Sequence, residues 1–319
     1  MTQYSCAVCG GPASSVCSQC KKMPYCSVIC QKKDWLSHKN SHKIPNLLIY
    51  PDHAKWTPDE IIKSFKEHGY IIIKLLNKEN QHLLREIDKA RAKLFEYPVE
   101  TVRKELHLPD TTEDACYIAG SNLQMVDIRP YDKMTKILPD PSVLVPGFKD
   151  IFFQCLNFFS EICIKLTELV FDKVPTVKIF GCSIANGGDF LSFCRMLNYV
   201  KAGELFPPHV DNGFFTVSTK STSTGLAVKN PLTGEYVYPE MLMTENDLVV
   251  IAGQIMEGYT KGIIKATRHA VFVQTPPRQT TLFSIHVGGS VFGMMGTEPD
   301  EDEKFEMFMR KYEPKQVDF

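Results

Sequence analysis

Between residues 57 and 171 the apolar positions recur at helical spacing, and beyond residue 192 they recur at strand spacing. Thr57-Pro58-Asp59-Glu60 predicts a helix start, with a capping hydroxyl, a first-turn proline and early acids. Ile61, Ile62 and Phe65 mark its apolar face, and Gly69 stops it before a strand over 70–75. Leu83, Leu84, Ile87, Ala90 and Leu94 predict a second helix within 80–95. A long third helix is expected over 147–171, where Phe152, Leu156, Phe159, Ile162, Leu166 and Leu169 form a core-facing stripe. Strands follow at 193–200, 214–218, 225–229, 235–238, 248–252, 269–274 and 281–287, with a hairpin turn at Pro231-Leu232-Thr233-Gly234. Several short strands separated by turn signals predict a sandwich or barrel. Residues 44–56 read as a linker, and 104–140 resist assignment. In the acidic stretch 298–312, Phe305, Phe308 and Met309 predict a helix that packs back on the barrel.

The chain has 319 residues, room for one sizeable domain and a small module. Its formal charge of −1 implies neither a nucleic-acid partner nor a membrane surface. No apolar run reaches the length of a membrane span. No apolar leader opens the chain, and Cys116, Cys155, Cys163, Cys182 and Cys194 stand singly in apolar surroundings. That usage predicts a reduced compartment, cytoplasm or nucleus, and argues against disulfides.

The remaining cysteines carry the first chemical signal. Cys6, Cys9, Cys17, Cys20, Cys26, Cys30, His38 and His42 read as C-x2-C-x7-C-x2-C-x5-C-x3-C-x7-H-x3-H. Eight such ligands make two tetrahedral Zn(II) sites. A segment of about forty residues has too little core to fold unaided, so metal would supply its folding free energy. Including Cys30-Gln31, Asp34-Trp35 and His38-Lys39, the block resembles the MYND zinc finger. His42 stands where that family usually has Cys, and the HIT-type finger has similar spacing. The resemblance implies interleaved pairing: Cys6, Cys9, Cys26 and Cys30 on one ion, and Cys17, Cys20, His38 and His42 on the other. It also implies binding of a Pro-containing peptide, with Gln31 and Trp35 at groove positions. Trp35 could equally be the finger's small core. Lys21-Lys22 and Lys32-Lys33 are short basic pairs without interleaved aromatics, a poor nucleic-acid signal.

The second signal lies among the strands. In Pro208-His209-Val210-Asp211-Asn212, His and Asp stand two apart in a segment that reads as a strand, which puts both on one face. H-x-D alone is common. Here His269 follows in Thr267-Arg268-His269-Ala270-Val271, and Arg278 and Thr280 come two apart just beyond it. Two His and one carboxylate with open positions suit Fe(II) that must also bind a cosubstrate and dioxygen. A nearby Arg is a natural two-pronged clamp for a carboxylate.

Glu245 to Val271, with Arg278 and Thr280, resembles the isopenicillin N synthase-like iron and 2-oxoglutarate oxygenases, whose pattern is G-D-x-x-x-x-x-G-D, T-N-G, a basic stretch, H-R-V and R-x-S. The likeness runs from about Pro58 to Val291. Asn246-Asp247 and Gly253-Gln254 replace the two Gly-Asp pairs, Thr280 replaces Ser, Ala270 follows His269, and Asn198-Tyr199-Val200-Lys201 replaces Asn-Tyr-Tyr-Pro. The resemblance implies an α+β, mainly β double-stranded β-helix (jelly roll) with flanking helices behind a two-zinc finger. Expected boundaries are 1–45 for the finger, 46–175 for a helical region, 176–295 for the barrel core and 296–319 for a C-terminal helix. It implies Fe(II) on His209, Asp211 and His269. 2-Oxoglutarate would be held by Arg278 and Thr280, with Asn198 and Tyr199 as candidate pocket residues and ascorbate as a candidate reductant. The activity implied is oxidation of a small-molecule or peptide substrate with succinate formation. Three alternatives stay open: a prolyl-type protein hydroxylase, an iron oxidase that does not use 2-oxoglutarate, and a non-catalytic adaptor. His286, in an apolar strand, reads as a packed barrel residue rather than a ligand.

Overall fold

The structure, a computed structural model, describes residues 6–18, 23–41, 47–50, 56–106, 117–119, 122–128, 141–170 and 193–285. The expected C-terminal helix, His286, Cys20, His42, Cys116 and Cys182 lie outside these residues, as does the side chain of His38.

The finger comprises a ribbon of β1 (Ser15–Val16) and β2 (Pro24–Tyr25), followed by α1 (Val28–Ser41). β3 (Leu47–Tyr50) then runs parallel to β4 (Tyr70–Leu75). This corrects the expectation of a linker over 44–56. Leu48 is buried in the main core, and the apolar run at 47–50 becomes a strand by pairing with the distant β4. Between them lies α2 (Pro58–His68), opened by a capping box in which Thr57 and Glu60 satisfy each other's backbone N–H. Gly69 closes α2 at φ 82°, the left-handed conformation that glycine adopts without strain. α3 (Lys78–Glu96), α4 (Val99–Glu105) and α5 (Phe148–Val170) complete the helical layer. α4, not expected from the sequence, is seven residues long. The unassigned stretch contains β5 (Tyr117–Ala119) and β6 (Leu123–Ile128), which extend the sheet through pairing with β7 (Phe193–Tyr199).

Two sheets face each other in the jelly-roll arrangement. The larger is ordered β3-β4-β12-β9-β14-β7-β6-β5, with β9 (Phe215–Thr219), β12 (Asp247–Ala252) and β14 (Arg278–Ile285). The smaller is β11-β10-β13-β8, with β8 (Gly203–His209), β10 (Leu226–Lys229), β11 (Tyr236–Val237) and β13 (His269–Val273). Strand alternation assigns the faces. Phe215, Val217, Val250, Phe283 and Ile285 point outward onto α2, α3 and α5, where Phe65 stacks on Phe215 at 5.7 Å. Their neighbours Thr216, Ser218, Val249, Ile251, Thr280 and Leu282 point inward and line a cavity between the sheets. β12 is therefore buried on both faces and reads as an unbroken apolar run. Burying each large apolar side chain contributes roughly 1.5–3 kcal/mol, so the helical layer is the main support of the cavity floor.

Among the described residues no helix is long and apolar enough to cross a membrane. Cys155, Cys163 and Cys194 are buried and form no disulfide among the described residues.

Candidate metal centre

His209 ends β8 and His269 opens β13, and the two strands pair antiparallel with these residues in register. The ladder is irregular here: between the pairs His269–His209 and Val271–Phe206, one residue of β13, Ala270, lies opposite two of β8, Pro207 and Pro208. Pro207 and Pro208 lie inside that bulge and have no N–H to give the ladder. Each histidine has its Nδ1 within hydrogen-bond distance of the carbonyl two residues earlier, Pro207 at 2.8 Å and Thr267 at 2.9 Å. With Nδ1–H donating, Nε2 keeps its lone pair for a metal, the usual outer-shell device of metal-binding histidines. Both Nε2 atoms lie 3.7 Å from Asp211 Oδ1. Burial, then the neighbouring His269, lower the pKa of His209 and so favour the neutral ring that a metal requires.

Asp211 does not lie on the strand as the spacing implied. β8 ends at His209, and Asp211 sits in the bend that follows. The bend is held from above by α6 (Gln254–Tyr259): Gln254 N–H donates to Asp211 O at 2.8 Å, and Ile255 N–H to Gly213 O at 3.2 Å. Gly253 is where these two segments touch. A Cβ there would stand 2.1 Å from Gly213 O, so only glycine fits. Thr216 Oγ1 donates to Asp211 Oδ2 at 2.5 Å and turns Oδ1 toward the histidines. These donors converge as a metal centre requires: one atom from each of His209, Asp211 and His269, all within 4.8 Å. Two nitrogens, one oxygen and open positions fit ferrous iron.

Arg278 and Thr280 line the same cavity. Arg278 is 2% exposed, and its guanidinium lies 5.2 Å from the ring centroid of Tyr199. Its Nη2 donates to Glu240 Oε1 at 2.7 Å, while Nε and Nη1 are buried with no hydrogen-bond partner among the described residues. Thr280 Oγ1 donates to the Thr219 carbonyl at 3.1 Å and lies 3.0 Å from Ser218 Oγ. Burial drives the Tyr199 phenol up, against the opposing effect of Arg278. Burial likewise pushes Glu240 up, yet the Arg278 charge, the Ser221 hydroxyl and the N–H groups of Leu226 and Gly225 outweigh it, and its pKa falls below the ordinary 4.5.

Asn198 is placed elsewhere. Adjacent strand residues face opposite ways, so with Tyr199 inward Asn198 points outward, where its Nδ2 donates to Gln124 Oε1 at 2.7 Å. It is not among the residues lining the cavity, which corrects its assignment as a pocket residue. Glu240 was missed because nothing in Tyr238-Pro239-Glu240-Met241 marks it. Thr216 had a legible signal: Thr216 and Ser218 put hydroxyls on one face of β9, opposite Phe215 and Val217.

In the finger, Cys6, Cys9, Cys26 and Cys30 come together within 4.8 Å, with Cys26 Sγ 3.5 Å from both Cys9 Sγ and Cys30 Sγ. Four thiolates at about 2.3 Å from one zinc stand about 3.8 Å apart, so the cluster fits zinc. Burial alone would raise the Cys6 thiol, but hydrogen bonds from the backbone at Cys26, Val8 and Cys9 bring it down to about 6, toward the thiolate that zinc requires. The finger's core is Cys6, Cys17 and Tyr25, whereas Trp35 is 41% exposed. Trp35 is therefore not the core residue.

Comparison with known proteins follows the same two-module division. Residues 6–42 match the family model described as the MYND finger. Tudor domain-containing protein 1 of Oryzias latipes is 38% identical over 58 residues, 18% of this chain and 5% of that protein. Deformed epidermal autoregulatory factor 1 of Drosophila melanogaster is 53% identical over 34 residues, 11% of this chain and 6% of that protein. Much of the chain aligns with a full-length Neurospora crassa protein solved in complex with alpha-KG and thymine, at TM-score 0.59 and 20% identity, covering 76% of this chain and 85% of that one. A putative 2OG-Fe(II) oxygenase family protein from Caulobacter crescentus aligns at TM-score 0.62 and 17% identity over 84% of this chain and 99% of that one. The Arabidopsis thaliana dioxygenase for auxin oxidation 1, in its 2-oxoglutarate complex, aligns at 0.58 and 15% over 76% and 92%. The barrel has the fold of the 2-oxoglutarate- and iron-dependent oxygenases. A MYND finger precedes that oxygenase fold in one chain. In the oxygenase fold, His209, Asp211 and His269 meet at the junction of β8, β13 and the loop below α6.

Proposed function

We propose that the protein is an Fe(II)- and 2-oxoglutarate-dependent dioxygenase whose finger recruits a protein partner. One observation carries the reading: the histidine Nε2 atoms and Asp211 converge in a cavity that also contains Arg278, two of whose buried donors have no partner among the described residues. Iron and 2-oxoglutarate, when bound, supply oxidation of a substrate C–H bond by dioxygen, coupled to decarboxylation of the cosubstrate to succinate and carbon dioxide. His209, Asp211 and His269 would hold the iron and leave coordination positions open. The Thr216 hydroxyl and the two backbone carbonyls on Nδ1 orient those three ligands. Arg278 would take the distal carboxylate of 2-oxoglutarate. Thr280 is the weaker donor, because its hydroxyl must leave the Thr219 carbonyl to serve a ligand. Phe206, Leu226, Val249, Ile251 and Val271 make much of the wall apolar, beside Arg195, Ser218 and Ser284, which suits a substrate with an apolar body and a polar group. The test is succinate release from 2-oxoglutarate, together with anaerobic titration of the iron protein to follow its metal-to-ligand absorption band. Arg278→Lys should weaken that titration although charge is kept, because the planar fork is lost. A parent protein with neither band nor succinate would favour an iron oxidase that does not use 2-oxoglutarate.

The finer reading of the finger is capture of a Pro-containing peptide through Gln31 and Trp35. The exposure of Trp35 beside a core already filled by Tyr25 supports it. Trp35→Ala should abolish binding to Pro-containing peptides while zinc content stays the same. Equal peptide binding by parent and variant would remove Trp35 from that role.

A further inference from the structure

Arg278 is the single cation on which the cosubstrate reading leans, and its position is set by residues outside the family motif. Glu240, 2% exposed, lies in the single 3-10 turn Pro239–Met241 and is fastened independently of Arg278. Its Oε2 accepts from Gly225 N–H at 2.7 Å and Leu226 N–H at 2.9 Å, and its Oε1 accepts from the Ser221 hydroxyl. The remaining bond of Oε1 goes to Arg278 Nη2 at 2.7 Å. Gly225 completes the fitting, because a Cβ there would stand 2.6 Å from Arg278 Cδ and 2.7 Å from Nε. Tyr199 lies under the guanidinium plane. Nη2 is thus tied and Nε is packed against Gly225, which leaves Nη1 as the donor neither bonded nor wedged against backbone.

We infer that Glu240 is a positioning residue for Arg278: fixed to the backbone at Gly225 and Leu226, it holds Nη2 so that the Nη1 donor is presented to the carboxylate of the cosubstrate. This rests on the proposed reading of the cavity as a 2-oxoglutarate site. A purely structural role, in which Glu240 only neutralises a buried cation, would leave ligand binding alone whenever the variant folds.

The discriminating variant is Glu240→Gln in the full chain. Its amide oxygen satisfies the two backbone N–H groups, and its NH2 then faces Arg278 Nη2, donor against donor. Anaerobic titration of the iron protein should show 2-oxoglutarate binding weakened roughly 10-fold or more, the worth of a hydrogen bond to a charged group. Iron affinity and saturating succinate formation should match the parent, so the loss appears in KM and not in kcat. Glu240→Gln combined with Arg278→Lys should bind no worse than Arg278→Lys alone, because both act through one guanidinium. If Glu240→Gln fails to fold, Gly225→Ala replaces it, since the added methyl displaces Arg278 without removing the Glu240 carboxylate, and the same loss of binding is expected. Binding equal to or tighter than the parent in the folded variant, or additive losses in the double variant, overturns the inference. A parent that binds no 2-oxoglutarate overturns the function proposed above and this inference with it. A parent that binds while Glu240→Gln binds equally overturns only the positioning role.

Discussion

His209 and His269 are direct cross-strand partners, with ring centroids 4.2 Å apart and ring planes at 52°. Each is tied through Nδ1 to the carbonyl two residues before it, so the same local device repeats on both strands and aims both Nε2 atoms at Asp211. The metal centre is thus organised by a register and two backbone bonds.

The support of Asp211 can be removed without touching a ligand. Thr216→Val keeps shape and burial but deletes the hydroxyl that donates to Oδ2. Iron affinity should fall about 10–100-fold, the usual cost of losing an outer-shell partner. Anaerobic iron titration checks this, and an unchanged Kd would show that Thr216 does not orient the carboxylate.

Gly253→Ala tests the clamp above the ligand loop. The new Cβ would collide with Gly213 O and lie 2.9 Å from Asp211 O, so the backbone of one segment must move. Overpacking of this kind costs about 1–3 kcal/mol, and here it also displaces a ligand. Both the melting temperature and the iron content per chain should drop. A variant that melts lower yet holds full iron would separate loop packing from ligation.

The Glu240–Arg278 pair makes stability depend on pH. The folded pKa of Glu240 lies below its ordinary 4.5, so its contribution is present above that pH and is lost as pH falls through the folded value. Removing one member of a buried pair costs about 3–5 kcal/mol while the other stays charged. Denaturant midpoints should therefore show Glu240→Ala well below the parent at about pH 6, with the gap narrowing toward about pH 3. A gap that is constant with pH would mean that the loss is packing, not charge.

The two modules should respond separately to metal loss. Cys26→Ser removes the sulfur that lies 3.5 Å from two other ligands, so the finger should lose zinc and unfold while the barrel transition stays in place. A chain beginning at residue 45 should keep the barrel and its iron. A chain beginning at residue 57 should not, because it lacks β3 and bares β4, whose Ile72 and Ile73 are fully buried. Loss of buried Leu48 with that strand costs at least about 2 kcal/mol. Calorimetry of the two truncations checks the difference, and equal stability would show that β3 is dispensable.

Local rules made much of this protein legible in its sequence. Thr57 to Glu60 and Gly69 bracket α2 because capping and left-handed glycine are decided within a few residues. The alternating residues of β9 and β14 announce an inward and an outward face because the strand period is two. Paired cysteines at the N-terminus announce zinc because metal geometry fixes their spacing. Tertiary structure decided what depends on distant partners. Residues 47–50 join the sheet because β4 lies beside them, and Asp211 faces the histidines from a loop that α6 and Thr216 hold. Asn198 and Tyr199, neighbours in the chain, part to opposite faces once β7 is paired. Glu240 meets Arg278 across 38 residues that include β12, α6 and β13, and no periodicity records such a meeting. A one-residue bulge at Pro207-Pro208 sets where His209 points, and bulges belong to the pairing of two strands, not to either sequence alone.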